Sequence, residues 1–205
     1  MPLHEIQQTT AVLTRSFYSR PTAGVARDLL GKILVHRGTA GRIVEVEAYL
    51  GVNDRAAHAF RGLTPRTNVL FGPPGHAYVY LIYGRYECLN IVAEPEGIPG
   101  CVLVRAVEPL AGIGRMRARR GGEPNPARLA SGPGRLSVAM GITRRLNGAD
   151  LTRGPLTIRR WIEEPPVEVD VTARIGIRHA RDWPLRFILR GSPAISRRMP
   201  VLLSK

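Results

Sequence analysis

The sequence predicts a single α+β domain, and three observations lead to that class. Its 205 residues suit one core, because a chain of this length buries enough apolar surface to fold without disulfides or metals. Runs of alternating apolar and polar residues, typical of strands, are interspersed with segments of helical periodicity. No internal repeat, linker or low-complexity tract divides the chain. We therefore expect residues 1–205 to form one domain.

The first predicted elements are a helix and a hairpin. Residues 22–30 place Val25 and Leu29 at the spacing of a helix that packs on a core. Residues 32–36, KILVH, have the composition of a strand, and the turn RGTAG leads to a second strand at residues 42–50. We expect these two strands to pair.

Strict alternation divides the second strand into two faces. The apolar face is predicted to contact the core and consists of Val44, Val46, Ala48 and Leu50. The opposite face consists of Glu45, Glu47 and Tyr49. Two interpretations of the glutamates are open. They line a solvated face on which each pairs with an arginine, or one of them acts as a general base on water.

The remaining elements follow in order. Residues 51–76 contain Gly and Pro throughout and predict a long loop, which in a compact domain is usually functional. Three strands are then predicted at residues 77–84, 85–94 and 101–110. Two helices separated by a loop follow at residues 111–120 and 131–142, and short strands are expected from residue 157 on. In the third of those strands, alternation places Val102, Val104 and Ala106 opposite Leu103, Arg105 and Val107. The second helix is expected to end near Asn147 and Gly148.

Charge indicates a polyanionic partner. Lys and Arg number 30 against 16 Asp and Glu, for a net charge of +14. Nearly all of the positive charge is arginine, whose guanidinium group binds phosphate oxygens bidentately. A compositional bias of the genome explains the Arg/Lys ratio but not the net charge. No apolar run approaches a membrane helix and no signal peptide is recognisable, so we expect a cytoplasmic protein.

Cysteine and lysine usage exclude other classes. Cys88 and Cys101 are too few for a disulfide scaffold and lack zinc-site spacing, so they are predicted to be buried thiols. Lys32 and Lys205 are the chain's lysines, and neither is placed to form a Schiff base with a sugar aldehyde. No Ser-His-Asp or metal-ligand pattern is apparent. Attack by water is thus the favoured chemistry.

Several further residues are candidates for a site. Four of the six tyrosines fall within nine residues: Tyr78, Tyr80, Tyr83 and Tyr86. Two interpretations are open, because such a cluster either packs in the core or offers rings on which bases stack. Asn90 and Arg105 on the next strands could share a pocket with them. The segment SGPGRL could hold a phosphate at a helix start or simply cap the helix. His76 and His179 are interpreted as surface histidines.

Eight blocks together resemble the alkyladenine (3-methyladenine, methylpurine) DNA glycosylase family over about residues 16–196. They are ARDLLGKILVH, GRIVEVEAYLG, DRAAHAFRGLTPRT, VLFGPPGHAYVYLIYG, CLNIV, GCVLVRAVEP, LASGPGRL and RIGIRHARDWPLRF. The resemblance implies a mixed α/β domain on a curved antiparallel sheet. It also implies a protruding hairpin that enters the DNA minor groove while a damaged purine is flipped into a pocket.

The resemblance also implies roles for particular residues. Glu47 is the expected general base for attack of water at C1′, and Arg105 helps to position that water. Glu45 is expected to have a supporting structural role. The residues expected to contact the flipped base are Tyr49, His58 and Tyr80, with Asn90 disfavouring normal guanine. Tyr83 is expected to fill the gap left in the duplex.

Two positions depart from the pattern of many relatives. Arg85 and Glu87 stand where bulkier apolar or aromatic side chains are common, which would alter groove contacts or the range of lesions. Arg85 and Tyr86 are possible DNA contacts.

The sequence thus predicts a monofunctional DNA glycosylase that hydrolyses the bond to alkylated purines in duplex DNA. It is expected to act as a monomer near the nucleoid, without a cofactor, a metal or lyase activity. The alternative is a non-catalytic nucleic-acid-binding module of the same fold.

Overall fold

The computed structural model describes residues 2–204, and the side chains of residues 2–202. Six α-helices lie within this range: α1 Leu3–Thr9, α2 Arg15–Tyr18, α3 Thr22–Leu29, α4 Ile113–Arg119, α5 Pro126–Leu129 and α6 Pro133–Met140. Ten strands lie there as well: β1 Thr10–Val12, β2 Ile33–His36, β3 Thr39–Tyr49, β4 Ala77–Ile82, β5 Tyr86–Ala93, β6 Gly100–Ala111, β7 Leu156–Trp161, β8 Val169–Thr172, β9 Arg186–Leu189 and β10 Leu203–Ser204. Short 3₁₀ turns occupy Gly51–Asn53, His58–Arg61, Asn68–Phe71 and Arg144–Leu146.

All ten strands belong to one antiparallel sheet, which confirms the α+β class. Its main path runs β1-β7-β2-β3-β6-β5-β4. The sheet branches at β3, because one part of this long strand pairs with β2 and the part around Glu45–Glu47 pairs with β9. The branch brings the C-terminal strands β8 and β9 beside the two glutamates. The predicted pairing of β2 with β3 is also confirmed.

An irregularity in the β3–β6 ladder corrects the strict alternation expected for both strands. The register skips Val44 on β3 and Arg105 on β6, as in a β-bulge. Val44 and Ala106 therefore leave the main core and pack together with Leu189. Ile43 and Val107 take their places in the main core. Leu50 lies beyond the end of β3 and is exposed.

The two faces of the sheet have different covers. Helices α3 and α6 pack on one face, where the side chains of Val25, Leu29 and Leu136 join the main core. The other face carries Tyr78, Cys101 and the loop between β3 and β4, which contributes Ala59 and Leu70. Short turns rather than an irregular coil make up this loop, and it forms one wall of the cavity described below.

Two helix boundaries differ from those predicted from the sequence, and the local backbone explains both. Helix α6 ends at Met140 rather than near Asn147, because Gly141 takes a left-handed conformation with φ of 68° and closes the helix. Helix α4 starts at Ile113, since β6 continues to Ala111. The elements α1, β1, α2 and α5 were not predicted. None of the helices in the described part of the chain is long and apolar enough to span a membrane.

The hairpin of β4 and β5 ends in a tight turn. The amide of Arg85 donates to the carbonyl of Ile82 at 3.2 Å. Tyr83 and Gly84 both have positive φ angles, 54° and 65°, as in the primed turns that match the twist of paired strands. A tyrosine rarely adopts such a conformation, and strain of this kind concentrates at functional sites. The side chain of Tyr83 is 84% exposed.

Candidate active site

A cavity of about 1030 Å³ opens between the β3–β4 loop, the β4–β5 hairpin, the start of α6 and the segment after β8. Among the predicted site residues, its lining includes Tyr49, His58, Tyr80, Tyr83, Tyr86, Asn90 and Arg105. The described lining contains six arginines and no aspartate or glutamate. Its electrostatic field therefore favours an anionic ligand.

Glu47 lies directly behind this lining and is fully buried. Its Oε2 accepts hydrogen bonds from the Tyr49 hydroxyl at 2.9 Å and from Nη1 of Arg105 at 3.2 Å. Its Oε1 accepts from the amide of Ile175 at 2.7 Å. The interpretation of a solvated glutamate face is thus wrong, although each glutamate does pair with arginine. The three residues that donate to it, Tyr49, Arg105 and Ile175, all line the cavity.

Glu45 is also fully buried and accepts hydrogen bonds from two arginines. Its Oε1 lies 2.8 Å from Nε of Arg105 and 2.8 Å from Nε of Arg186. Both the hydroxyl and the amide of Ser196 donate to the same carboxylate. Burial raises the pKa of Glu45, but the charges of Arg105 and Arg186 and the bonds from Ser196 outweigh burial, so its pKa lies below the ordinary value. We call Glu45, Glu47, Arg105 and Arg186 the charged cluster.

Aromatic side chains form another part of the cavity. The ring of His58 lies 4.6 Å from that of Tyr80 and 5.9 Å from that of Tyr78, edge to face in both cases. Nδ1 of His58 is 3.0 Å from the Tyr78 hydroxyl. Burial, and then the charge of Arg66, lower the pKa of His58 to about 4. The imidazole is therefore neutral at physiological pH and can stack without adding charge.

Asn90 occupies the inner part of the cavity wall. It is buried, and its Nδ2 donates to the carbonyls of Tyr78 at 3.2 Å and Cys88 at 3.4 Å. These two bonds fix the orientation of the amide. Cys88 and Cys101 are free, buried thiols, which confirms the prediction for both.

A buried ion pair supports the wall on the far side of Tyr49. Arg174 and Asp54 are both fully buried and make two contacts. Nη1 of Arg174 contacts Oδ2 of Asp54, and Nη2 donates to Oδ1 at 2.9 Å. Asp54 also accepts from the amides of Leu50 and Ala56, so it closes the start of the β3–β4 loop. The Arg174 guanidinium lies 4.8 Å from the centre of the Tyr49 ring. The pair therefore ties Tyr49 and its loop to the segment that contains Ile175.

The hairpin tip, residues 83–85, lies at the edge of the cavity. Tyr83 projects into solvent from its turn, while the ring of Tyr86 packs closely over Gly134 at the start of α6. Arg85 lies 5.4 Å from the centre of the Tyr86 ring but does not line the cavity. Glu87, the other departure from the family pattern, accepts from Nε of Arg144 at 3.1 Å.

Other predicted residues lie as follows. Lys32 pairs with Glu164 at 2.9 Å and is not part of the cavity. Lys205 lies outside the described residues. The SGPGRL segment starts α6 on the cavity wall, and no side chain caps this helix. His179 is exposed at the cavity, as expected for a surface histidine, whereas His76 is half-buried.

Sequence reasoning missed four residues that build the site: Asp54, Arg174, Arg186 and Ser196. Asp54, Arg174 and Arg186 lie within the quoted family blocks and Ser196 lies after the last of them, but no local pattern singles them out. Their partners are distant along the chain: Arg186 is 141 positions from Glu45, and Arg174 is 120 positions from Asp54. In residues 2–204, no group of three or more His, Cys, Asp or Glu side chains is arranged to hold a metal ion.

Comparison with known proteins gives this geometry a family. Residues 16–193 match the model of the methylpurine-DNA glycosylase (MPG) family. This range includes most of the chain and nearly all of the residues that line the cavity. The chain belongs to the methylpurine-DNA glycosylase family. The match confirms the resemblance on which the site residues were assigned.

Relatives within the family are similar along almost their whole length. A protein of Methanoculleus marisnigri is 54% identical over 192 residues, covering 91% of this chain and 99% of its own. Proteins of Methanocella arvoryzae and Koribacter versatilis are each 50% identical, over 199 and 204 residues, and cover 92% and 96% of this chain and 98% of their own. All three carry the name "Putative 3-methyladenine DNA glycosylase".

Proposed function

We propose that this protein is a monofunctional DNA glycosylase that flips alkylated purines out of duplex DNA and hydrolyses their glycosidic bond. Its substrates are of the 3-methyladenine and 7-methylguanine class. Family membership and the names of the relatives support the general activity. The observation that carries the mechanism is the buried carboxylate of Glu47, held by three donors behind an aromatic, arginine-lined cavity.

The cavity and the hairpin tip suit a flipped nucleotide. Arginines around the cavity favour a phosphate backbone, and the rings of Tyr49, His58 and Tyr80 offer faces and edges to a base. A base can leave the stack only if the duplex is held open. Tyr83 is exposed on a tight turn beside the cavity, where its ring can occupy the gap in the duplex.

The charged cluster suits attack by water. Glu47 takes a proton from the water as the oxygen forms a bond to C1′, and the bond from C1′ to the purine nitrogen breaks. The electron pair of that bond leaves with the purine, so a base already cationic through alkylation departs neutral and needs no strong general acid. The carboxylate also stabilises the oxocarbenium-like transition state. Arg105 keeps the carboxylate oriented and helps to hold the water.

Lyase chemistry is not part of this proposal. Cleavage of the strand by β-elimination uses an amine that forms a Schiff base with the sugar. The described lining of the cavity contains no lysine, and Lys32 is engaged with Glu164 elsewhere. We expect an intact abasic strand as the product.

The test is release of free 3-methyladenine from methylated duplex DNA by the wild type and by Glu47→Gln. The wild type is expected to release base, whereas the variant binds lesion DNA but releases none. Glu168→Gln serves as a matched control, because Glu168 is an exposed glutamate paired with Arg190 on the surface. Full activity of Glu47→Gln would refute the role of Glu47. If the wild type releases neither 3-methyladenine nor hypoxanthine nor ethenoadenine, the protein is a non-catalytic nucleic-acid-binding module.

A further inference from the structure

The charged cluster is an alternating row of two cations and two anions. Arg186 contacts Glu45, Glu45 contacts Arg105, and Arg105 contacts Glu47. Arg186 and both glutamates are fully buried, and Arg105 is 12% exposed. Buried ions are costly unless they are paired, so the equal number of charges of each sign stabilises the whole row.

Arg105 is shared unequally between the two carboxylates. Its Nε lies 2.8 Å from Glu45, whereas its Nη1 lies 3.2 Å from Glu47. An arginine that faces a single carboxylate usually binds it bidentately. Here Glu45 occupies one edge of the guanidinium group, and Glu47 receives a single bond from it. The hold on Glu47 therefore depends on how strongly Glu45 attracts Arg105.

Arg186 sets that attraction. Its Nε lies 2.8 Å from Glu45, and its other nitrogens donate to the hydroxyl of Thr172 and the carbonyl of Arg197. It is also paired across the sheet with Glu47 in the β3–β9 ladder. Without Arg186, two buried carboxylates would compete for one guanidinium group. With it, the charge of Glu45 is balanced and Arg105 remains available to Glu47.

We propose that Arg186 is a positioning residue for the reaction: by balancing Glu45, it leaves Arg105 to hold the carboxylate of Glu47 in place. The proposal rests on the proposed function. Arg186 has no contact with the cavity, so its effect passes through Glu45 and Arg105. The groups around Glu47 that bear on this effect are Glu45 and Tyr49 on its own strand, Arg105 on β6, Cys88 on β5, Arg186 on β9 and the amide of Ile175.

The experiment measures single-turnover base release from a lesion duplex at saturating enzyme, as a function of pH. Arg186→Met leaves an excess buried negative charge, so its rate at pH 7 should fall by about 100-fold, the cost of a misplaced catalytic group. The acid limb of its pH–rate profile should move up by about one pH unit, as expected from loss of a nearby cation. Glu45→Gln removes an anion and should move the acid limb down by about the same amount.

Two further variants separate positioning from folding. The double variant Glu45→Gln/Arg186→Met restores charge balance and should return the acid limb close to that of the wild type. Arg186→Lys keeps the charge and should leave the acid limb in place. It also provides a folded variant at this position if Arg186→Met does not fold. Arg190→Met is the matched control, because Arg190 is an exposed arginine that pairs with Glu168 and Asp170 away from the cavity, and it should leave the profile unchanged. Unchanged acid limbs in folded Arg186→Met and Glu45→Gln would overturn the proposal.

A second readout does not depend on activity. The Nε–H proton of Arg105 points at Glu45, so its NMR resonance should keep its wild-type position in Arg186→Lys, which retains the charge, and should shift in Arg186→Met, where Glu45 has lost its second cation. If the wild type releases no base from any substrate, the proposed function fails, and this resonance still decides whether Arg186 positions Arg105. An unchanged resonance in Arg186→Met would count against it.

Discussion

The charged cluster and the hairpin tip are opposite solutions to placing polar side chains at one cavity. In the cluster, every carboxylate oxygen has a donor and both glutamates are fully buried. At the tip, Tyr83 is 84% exposed and its backbone has a positive φ. Buried charges are stable only in a fixed arrangement, whereas an exposed ring is available to a partner. The cluster therefore suits chemistry that needs fixed geometry, and the tip suits contact with DNA.

The largest expected effect tests whether buried ion pairs around the cavity carry stability. Asp54→Asn should lower the free energy of unfolding by about 3–5 kcal/mol, because it leaves Arg174 buried without a countercharge. Urea denaturation monitored by circular dichroism measures this value. Asp28→Asn, which breaks the exposed Arg20–Asp28 pair, should change it by only about 0–1 kcal/mol. Equal losses in the two variants would contradict the distinction between buried and exposed charge.

The next prediction concerns the hairpin tip. Tyr83→Ala should reduce base release from a lesion duplex by about tenfold, since one stacked ring contributes roughly 1–3 kcal/mol. Release from single-stranded lesion DNA should not change, because no duplex must be held open. The free energy of unfolding should change by less than about 0.5 kcal/mol, as for other exposed positions. Tyr83→Phe is the control and should retain activity. An equal loss of release from single-stranded DNA by Tyr83→Ala would exclude the role of Tyr83 in filling the gap in the duplex.

An effect of similar size is expected inside the charged cluster. Tyr49→Phe removes one donor to Glu47 but leaves the bonds from Arg105 and Ile175. Because the other donors remain, we expect a cost of only about 1–2 kcal/mol in transition-state stabilisation. Single-turnover rates with matched stability measurements check this. A loss as complete as that of Glu47→Gln would mean that the hydroxyl itself takes part in the reaction.

The last prediction is a pH dependence of stability. His58 has a pKa of about 4 in the folded protein, below its ordinary value of 6.5, because it is buried and lies near Arg66. The unfolded chain therefore binds a proton first as the pH falls, and the stability from His58 is lost between pH 6.5 and about 4. Solvent reaches this side chain, so the effect is modest. His58→Phe should show a flatter stability profile over that range, and an unchanged profile would contradict the assignment.

Local sequence patterns predicted much of the fold. The spacing of Val25 and Leu29 predicted helix α3, and the composition of KILVH with the alternation of RIVEVEAYL predicted the hairpin of β2 and β3. These features depend on neighbours within a few residues, which a sequence displays directly. The family pattern then assigned Tyr49, His58, Tyr80, Asn90 and Arg105, and all five line one cavity.

Tertiary structure decided how the charges are paired. The skipped positions at Val44 and Arg105 depend on the register between two strands, so alternation along one strand could not predict them. Arg186 lies 141 residues from its partner Glu45, and Arg174 lies 120 residues from its partner Asp54. Coulomb interactions are strong only where folding has removed water, and that location is a property of the packed sheet. The sequence by itself determined which residue types are available, while the branch at β3 decided which of them became a buried, balanced cluster.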